Sequence, residues 1–112
     1  FVRRLSGGMA KRLSIAIAII HDPKVVFFDE VTIGLDPVAR NNVWNLVKKL
    51  KQRSTVVMTT HYMDEAEQLC DNLIMISGGS IVASGSPKDI TKKFKANNLH
   101  EVITAIAKEQ NV

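Results

Sequence analysis

The stretch Val25-Val26-Phe27-Phe28-Asp29-Glu30 decides the fold of this chain. Four apolar residues run directly into two carboxylates, with Pro23 before them and Gly34 after them. An apolar run this short, bounded by turn residues, predicts a strand that is buried on both faces, as in a parallel sheet. Because a strand ends where the chain meets water, Asp29 and Glu30 are expected at the carboxyl edge of the sheet, where ligands of open α/β sheets bind.

The two adjacent carboxylates indicate two different tasks. Successive side chains of a strand point to opposite sides, so Asp29 and Glu30 are expected to face different surroundings. One can face a phosphate-bound Mg²⁺ while the other orients or deprotonates a water molecule, which is the layout of a nucleotide-hydrolase strand. The alternative is that both acids only mark the point where a core strand becomes a loop.

Size and composition limit the class of protein. The chain has 112 residues, of which 46% are hydrophobic and 23% charged, so it is one domain or a piece of one and can bury a core. A single cysteine, Cys70, excludes a disulfide framework and fits a reducing compartment. No apolar stretch reaches the roughly 18 residues of a membrane-spanning helix. The start lacks Met and a signal peptide, which predicts a truncated sequence.

The net charge of +4 does not predict a nucleic-acid partner. The cations are scattered over residues 3–12, 48–53 and 88–95, with few aromatic residues between them. A nucleic-acid surface concentrates its cations on one face together with stacking partners. Solvated helix faces explain the charge, and no nucleic-acid partner is expected.

A glycine-rich helix start precedes the deciding strand. Ser6 is a good N-cap, and apolar residues then recur at helical spacing to about Ile20. The N–H groups of Ser6, Gly7 and Gly8 would therefore lie at the positive end of a helix, where no side chain keeps an anion away. The alternative is a flexible loop before an ordinary helix.

A second strand is expected to run parallel to the first. Asp36 followed by Pro37 predicts a helix start, and that helix continues to about Leu50. Residues 54–60 are then rich in β-branched side chains and end at His61. Two strands joined by a helix form a right-handed βαβ unit, so His61 is expected at the same sheet edge as Asp29 and Glu30. A histidine there can hydrogen-bond a phosphate or hold a water molecule.

The pattern of the chain after residue 62 predicts a hairpin and three helices. A short helix is expected over residues 63–70, a β-hairpin with a Gly78-Gly79 turn over residues 73–84, and a helix from Ser86-Pro87 to about Phe94. An apolar stripe at helical spacing follows a polar connection and ends near Glu109. Its members are Leu99, Val102, Ile103, Ile106 and Ala107.

The motifs and their order resemble the ATPase domain of ABC transporters. Leu5-Ser6-Gly7-Gly8-Met9 is similar to the signature motif, and residues 25–30 are similar to Walker B with its adjoining glutamate. Gly34-Leu35-Asp36-Pro37 resembles the D-loop, and Thr59-Thr60-His61 resembles the switch (H-loop) histidine. The resemblance covers about Leu5 to Phe94, and it is greatest to subfamily A, the lipid-exporter-like branch.

The resemblance implies a fold and a division into two parts. The fold class is α/β: a partial P-loop NTPase fold of the ABC ATPase type, with a parallel βαβ core, a C-terminal β-hairpin and flanking helices. Residues 1–96 would be the carboxyl-terminal part of an ABC transporter ATPase domain, and residues 97–112 a helical extension.

The resemblance also implies the role of each site residue. Asp29 would hold Mg²⁺, Glu30 would be the general base, and His61 would contact the γ-phosphate of ATP. Ser6, Gly7 and Gly8 would clasp the γ-phosphate of ATP held mainly by a second domain. Asp36 would communicate between the two domains.

The implied partners are a second ABC ATPase domain in a head-to-tail dimer and the transmembrane domains of a transporter. ATP and Mg²⁺ are the implied ligands, and the cytoplasmic face of a membrane is the implied location.

Three residues and one motif depart from the family pattern. Val31 stands where Pro is common, Ile33 where Ser or Thr is common, and Met9 where Gln is common. The phosphate-cradling Gly-x-x-x-x-Gly-Lys-Ser/Thr loop occurs nowhere in the chain. We therefore expect a fragment that is inactive alone. The alternatives are a truncated non-catalytic ABC-like protein and an ABC ATPase of a non-transport class.

Overall fold

The computed structural model of the protein describes residues 7–110. The chain divides into two compact units, one ending at His61 and the other beginning at Tyr62. Each unit has its own sheet and helices.

The first unit is a βαβ arrangement with one preceding helix. Its elements are α1 (Gly7–Ile20), β1 (Val25–Asp29), α2 (Pro37–Leu50) and β2 (Thr55–Thr59). The two strands pair in parallel, as the sequence predicts, and α1 packs against α2.

The register of the parallel pair fixes which residues share an edge of the sheet. Val25 lies opposite Thr55 at the amino-terminal edge, and Asp29 lies opposite Thr59 at the carboxyl-terminal edge. The Thr55 N–H donates to the Lys24 carbonyl at 2.8 Å, which extends the pairing by one bond at the amino-terminal edge. The residues that follow Asp29 and Thr59 therefore leave the sheet side by side.

One face of this sheet is buried and the other is exposed. Val26 and Phe28 belong to the core, whereas Phe27 is 75% exposed and Val25 is 48% exposed. The prediction of a strand buried on both faces is therefore wrong in the described part of the chain. The physical reason is that Val26 and Phe28 share one face of the strand and Val25 and Phe27 the other, and no described residue of this unit covers the latter face. The other buried apolar residues up to His61 lie on the helices: Ile15, Val43, Val47 and Leu50.

The start of α2 follows the predicted capping chemistry. Asp36 is the N-cap, its Oδ1 accepts a hydrogen bond from the Ala39 N–H at 2.8 Å, and Pro37 occupies the first helical position. Lys48 and Lys49 lie in the last turn, where cations interact favourably with the helix dipole.

The second unit combines a hairpin with three helices. Its elements are α3 (Met63–Leu69), β3 (Leu73–Ser77), β4 (Ser80–Gly85), α4 (Pro87–Lys93) and α5 (Leu99–Gln110). The strands pair antiparallel, and Gly78 and Gly79 form the turn with φ values of 57° and 78°. Positive φ at both central residues is what a two-residue hairpin turn requires, so the predicted glycine turn is confirmed.

The core of the second unit is built largely by α5 and the hairpin. Leu99, Val102 and Ile106 are buried together with Met75, Ala83 and Ile90. Ile103 is partly buried against the same core, whereas Ala107 is exposed. The predicted stripe is therefore correct for four of its five members, and Ala107 lies outside it.

The start of α5 is capped by side chains from two segments. Glu67 of α3 accepts a hydrogen bond from the Leu99 N–H, and Asn98 accepts one from the Glu101 N–H at 2.9 Å. Glu101 reaches back and accepts from the Asn97 N–H at 2.7 Å. The contacts of the Leu99 and Glu101 N–H groups satisfy helix donors that have no intrahelical partner, and the Asn97 contact fixes the residues before the helix.

Within residues 7–110, none of the helices combines the length and the apolar character needed to cross a bilayer.

Truncation of one core isoleucine tests this packing. Ile90 is 2% exposed, so Ile90→Ala is expected to lower the free energy of unfolding by about 2–5 kcal/mol, the usual cost of a cavity. Ile74→Ala removes the same atoms at a side chain that is 62% exposed and should cost less than about 1 kcal/mol. Urea unfolding of both variants measures the difference, and equal losses would contradict this core.

The pH dependence of stability tests the contacts of Glu101 at the start of α5. The hydrogen bonds from the Asn97 backbone N–H, and then from its side chain, hold the pKa of Glu101 below its ordinary value of 4.5. The ionised carboxylate therefore stabilises the folded state above that ordinary value, and the contribution disappears as the pH falls through the lowered pKa. We expect Glu101→Gln to lower the thermal midpoint at pH 7 and to match the wild type once the pH is well below about 4. A difference that is constant from pH 7 to pH 3 would exclude this role.

Candidate functional site

Asp29 and Thr59 form the first part of the candidate site, at the carboxyl-terminal edge of the parallel pair. These two residues lie opposite each other in the ladder, and the Thr59 hydroxyl donates a hydrogen bond to Asp29 Oδ1. Both are exposed, so the second carboxylate oxygen of Asp29 can meet water or a ligand. Two oxygen-bearing side chains are thus held together by the register of the sheet.

Glu30 and His61 form the second pair at this edge. His61 Nδ1 lies 2.6 Å from Glu30 Oε1, although the residues are 31 positions apart in the sequence. Because a carboxylate only accepts, the imidazole donates from Nδ1. The side chains are 58% exposed for His61 and 40% exposed for Glu30, so both groups are accessible from solvent.

The backbone at Glu30 turns sharply out of the strand. Its φ is 47°, a left-handed conformation that residues other than glycine rarely adopt. The Glu30 N–H donates to the Thr59 carbonyl at 3.0 Å, and its own carbonyl accepts from the Ile33 N–H at 3.2 Å. Thr32, which is 1% exposed, anchors the same loop. The loop therefore holds Glu30 in a conformation that costs about 1–2 kcal/mol.

The left-handed turn also corrects the expected arrangement of the two acids. Asp29 is the last residue of β1 and Glu30 lies beyond the strand, so strand alternation does not set the direction of Glu30. The two carboxylates nevertheless have different partners, Thr59 for Asp29 and His61 for Glu30.

The oxygen atoms of Asp29 and Thr59 at this edge suit a hard cation that is coordinated partly by the protein and partly by phosphate oxygens. Among the described residues, no group of three or more His, Cys, Asp or Glu side chains could hold a metal ion without further ligands. Mg²⁺ needs only one or two carboxylates when water and substrate phosphates supply the remaining oxygens. The Asp29 carboxylate beside the Thr59 hydroxyl fits that requirement.

The other predicted site residues lie elsewhere or outside the described part. Asp36 begins α2, where its carboxylate caps the helix. Gly7 and Gly8 form the first turn of α1, and Ser6 lies outside the described residues. The structure thus brings together Asp29, Glu30 and His61, and it leaves the assigned roles of the signature residues as predictions.

Sequence reasoning did not identify Thr59 as a partner of Asp29. The signal was present, because the ends of two parallel strands can be aligned once His61 and Glu30 are taken as neighbours. Thr59 then falls opposite Asp29. The hydrogen bond that the Thr59 hydroxyl donates to Asp29 could be found only from the structure.

A parallel βαβ unit with polar side chains at its carboxyl edge is the arrangement of an α/β domain that binds its ligand at the ends of its strands. The family model described as "AAA domain, putative AbiEii toxin, Type IV TA system" matches residues 2–63, which is more than half of the chain. The matched segment contains the whole Asp29, Glu30 and His61 site.

Similar proteins narrow this class. The chain is 42% identical over 109 residues to ABC transporter A family member 7 of Arabidopsis thaliana, and 48% identical over 90 residues to the Nod factor export ATP-binding protein I of Rhizobium etli. A solved ATP-binding subunit of an ABC transporter superimposes with a TM-score of 0.78 at 26% identity, covering 96% of this chain and 46% of that one. The chain belongs to the ABC transporter ATP-binding domain family and is most like subfamily A.

The matched relatives are longer than this chain. The alignments cover 97% of the chain and 12% of the Arabidopsis protein, and 80% of the chain and 28% of the Rhizobium protein.

Two substitutions at Glu30 measure the free-energy cost of its left-handed backbone conformation. Glu30→Gln and Glu30→Asn both remove the charge, but asparagine adopts positive φ more readily. We therefore expect Glu30→Asn to be about 1 kcal/mol more stable than Glu30→Gln. Chemical unfolding of the two variants measures this difference. If Glu30→Asn were the less stable variant, the left-handed conformation would not be a source of strain.

Proposed function

We propose that the chain is part of an ATP-hydrolysing module of an ABC transporter, in which Asp29, Glu30 and His61 act on nucleotide. The observation that carries this proposal is the 2.6 Å pairing of Glu30 with His61 beside the Asp29–Thr59 contact. Two neighbouring carboxylates with separate partners can perform separate tasks, as phosphoryl transfer to water requires.

Asp29 is the residue suited to hold Mg²⁺. Its carboxylate is fixed by the Thr59 hydroxyl and exposed at the sheet edge, so an oxygen can reach a cation directly or through water. When bound, Mg²⁺ would neutralise charge on the phosphates of ATP. The register of the sheet keeps Asp29 in place while nucleotide comes and goes.

Glu30 is the residue suited to activate the attacking water. A general base must lie within hydrogen-bond reach of the water whose proton it accepts, and the exposed Glu30 carboxylate has an oxygen free to do so beside His61. His61 lies in contact with Glu30 through Nδ1, and in the proposed site its imidazole would contact the γ-phosphate.

The start of α1 is suited to a second nucleotide. A helix amino end with glycines carries exposed N–H donors and a partial positive charge, which stabilise an anion without a lysine. Ser6, Gly7 and Gly8 would clasp the γ-phosphate of ATP bound mainly by a second ABC ATPase domain in a head-to-tail dimer. Asp36, already fixed as an N-cap, would carry the contact between the two domains.

The proposed setting is the cytoplasmic face of a membrane, with the transmembrane domains of the transporter as the second partner. The similarity to subfamily A supports a lipid as cargo. Residues 1–96 would complete the ATPase domain, and residues 97–112 would extend it. The phosphate-cradling loop, which this sequence lacks, would come from outside residues 1–112, so these residues alone should hydrolyse ATP no faster than background.

Two isosteric substitutions test the assigned roles in a complete ATPase domain that includes these residues. Glu30→Gln should reduce turnover about 10²–10⁴-fold and retain bound ATP, because the base is lost while binding groups remain. Asp29→Asn should instead raise the Mg²⁺ concentration needed for half-maximal nucleotide binding. Nucleotide retention and metal titration measure the two effects separately.

Glu109→Gln is the matched control, since it makes the same chemical change at an exposed residue of α5. It should leave turnover and metal dependence unchanged. Indistinguishable behaviour of Glu30→Gln and Asp29→Asn in both assays would refute the division of roles. Magnesium-dependent turnover by residues 1–112 alone, lost in Glu30→Gln, would show that no added phosphate loop is needed.

A further inference from the structure

Four exposed cations lie around the amino-terminal edge of the parallel pair, opposite the candidate site. We name these residues the amino-edge cluster: Lys24, Lys48, Lys49 and Arg53. Lys24 immediately precedes β1, and its carbonyl accepts from the Thr55 N–H at 2.8 Å. Ser54 Oγ donates to the Pro23 carbonyl at 2.6 Å. These two bonds join the loop before β1 to the turn after α2, so the backbone holds the cluster together.

The charges of the first unit are separated along the strand direction. Residues 7–61 contain eight Lys and Arg against four Asp and Glu, which gives +4. Three of the four acids, Asp29, Glu30 and Asp36, lie at or after the carboxyl-terminal end of β1. A five-residue strand separates the two edges by about 17 Å, which is more than a Debye length at physiological salt. The fourth acid, Asp22, lies in the loop that carries Lys24, so this edge has four exposed cations against one exposed acid and keeps a net positive charge.

Helix capping explains only part of this cluster. Lys48 and Lys49 in the last turn of α2 interact favourably with its dipole, but Lys24 and Arg53 lie outside that helix. Four exposed cations also follow or lie on α4: Lys88, Lys92, Lys93 and Lys95. Those four belong to residues 62–110, where five Lys and Arg face seven Asp and Glu for a net −2. Of these two groups of four cations, only the amino-edge cluster lies in a unit with a net positive charge.

The neighbours of the cluster favour a lipid surface over nucleic acid. Residues 20–24 and 48–55 contain no Phe, Tyr or Trp, and His21 is their single ring side chain, so the cluster offers little stacking surface for bases. Ile20 is 73% exposed and Val25 is 48% exposed, and these two flank the loop that carries Lys24. Cations beside exposed aliphatic side chains suit the headgroup boundary of an anionic bilayer.

We propose that the amino-edge cluster binds the anionic headgroups of a membrane surface. This contact is separate from the nucleotide chemistry and does not require ATP or a second domain. Each cation near such a surface strengthens binding about fivefold, so four cations give a weak, salt-sensitive and reversible attachment.

Vesicle sedimentation with the 112-residue chain tests the proposal. Phosphatidylcholine vesicles with and without phosphatidylserine are compared at 0.1 and 0.5 M NaCl. The expected result is binding only to the phosphatidylserine vesicles at the lower salt. The variant K24Q/K48Q/K49Q/R53Q should bind at least about tenfold more weakly. The matched control K88Q/K92Q/K93Q/K95Q removes the same number of charges from the second unit and should bind like the wild type. Thermal melts verify that both variants fold.

Four outcomes would overturn the proposal. One is the absence of binding to phosphatidylserine vesicles at 0.1 M NaCl, and another is equal weakening in the two variants, which would indicate net charge alone. The third is binding of an RNA oligonucleotide or acidic peptide that depends on the cluster while vesicle binding does not. Displacement by soluble glycerophosphoserine at equal headgroup concentration would likewise indicate a single phosphate site and not a surface.

Discussion

The parallel pairing of β1 with β2 is the interaction on which the candidate site depends. Asp29 and Thr59 occupy the last position of the ladder, and the Glu30 N–H adds one more bond to the Thr59 carbonyl at 3.0 Å. A shift of one residue would exchange the faces of the strand and separate Glu30 from His61. Burial of Val26 and Phe28 fixes the register, because a slipped strand would expose them. Core packing therefore determines where the catalytic candidates meet.

The left-handed backbone at Glu30 is a conformation that the loop maintains at some cost in stability. A glutamate gains nothing intrinsically from a φ of 47°, and glycine or asparagine would adopt it with less strain. Strained residues persist where the surrounding structure holds them, and the buried Thr32 and the Glu30–Ile33 hydrogen bond supply that constraint here. The strain directs the Glu30 carboxylate toward His61 instead of along the strand.

The sequence predicted local structure well and burial less well. Caps and turns follow from single residues, so the Asp36-Pro37 start and the Gly78-Gly79 turn were correct to the residue. Whether a strand is covered on both faces depends on segments distant in the chain, and this is why the exposure of Phe27 was not foreseen. The contact of Glu67 with the Leu99 N–H was missed for the same reason. A carboxylate on a short helix is typical of a solvated face, and only tertiary packing reveals its partner.

The Glu30–His61 pair is positioned by the fold but is not shielded from water. At 40% and 58% exposure, water screens the attraction between these side chains, so their pairing adds little stability of its own. Their 2.6 Å contact must therefore depend on backbone placement more than on charge attraction. Electrostatic stabilisation of a transition state becomes large only when water is excluded. The described fold thus supplies the geometry of the site in advance, and the low-dielectric surroundings that would strengthen its contacts depend on enclosure of the site.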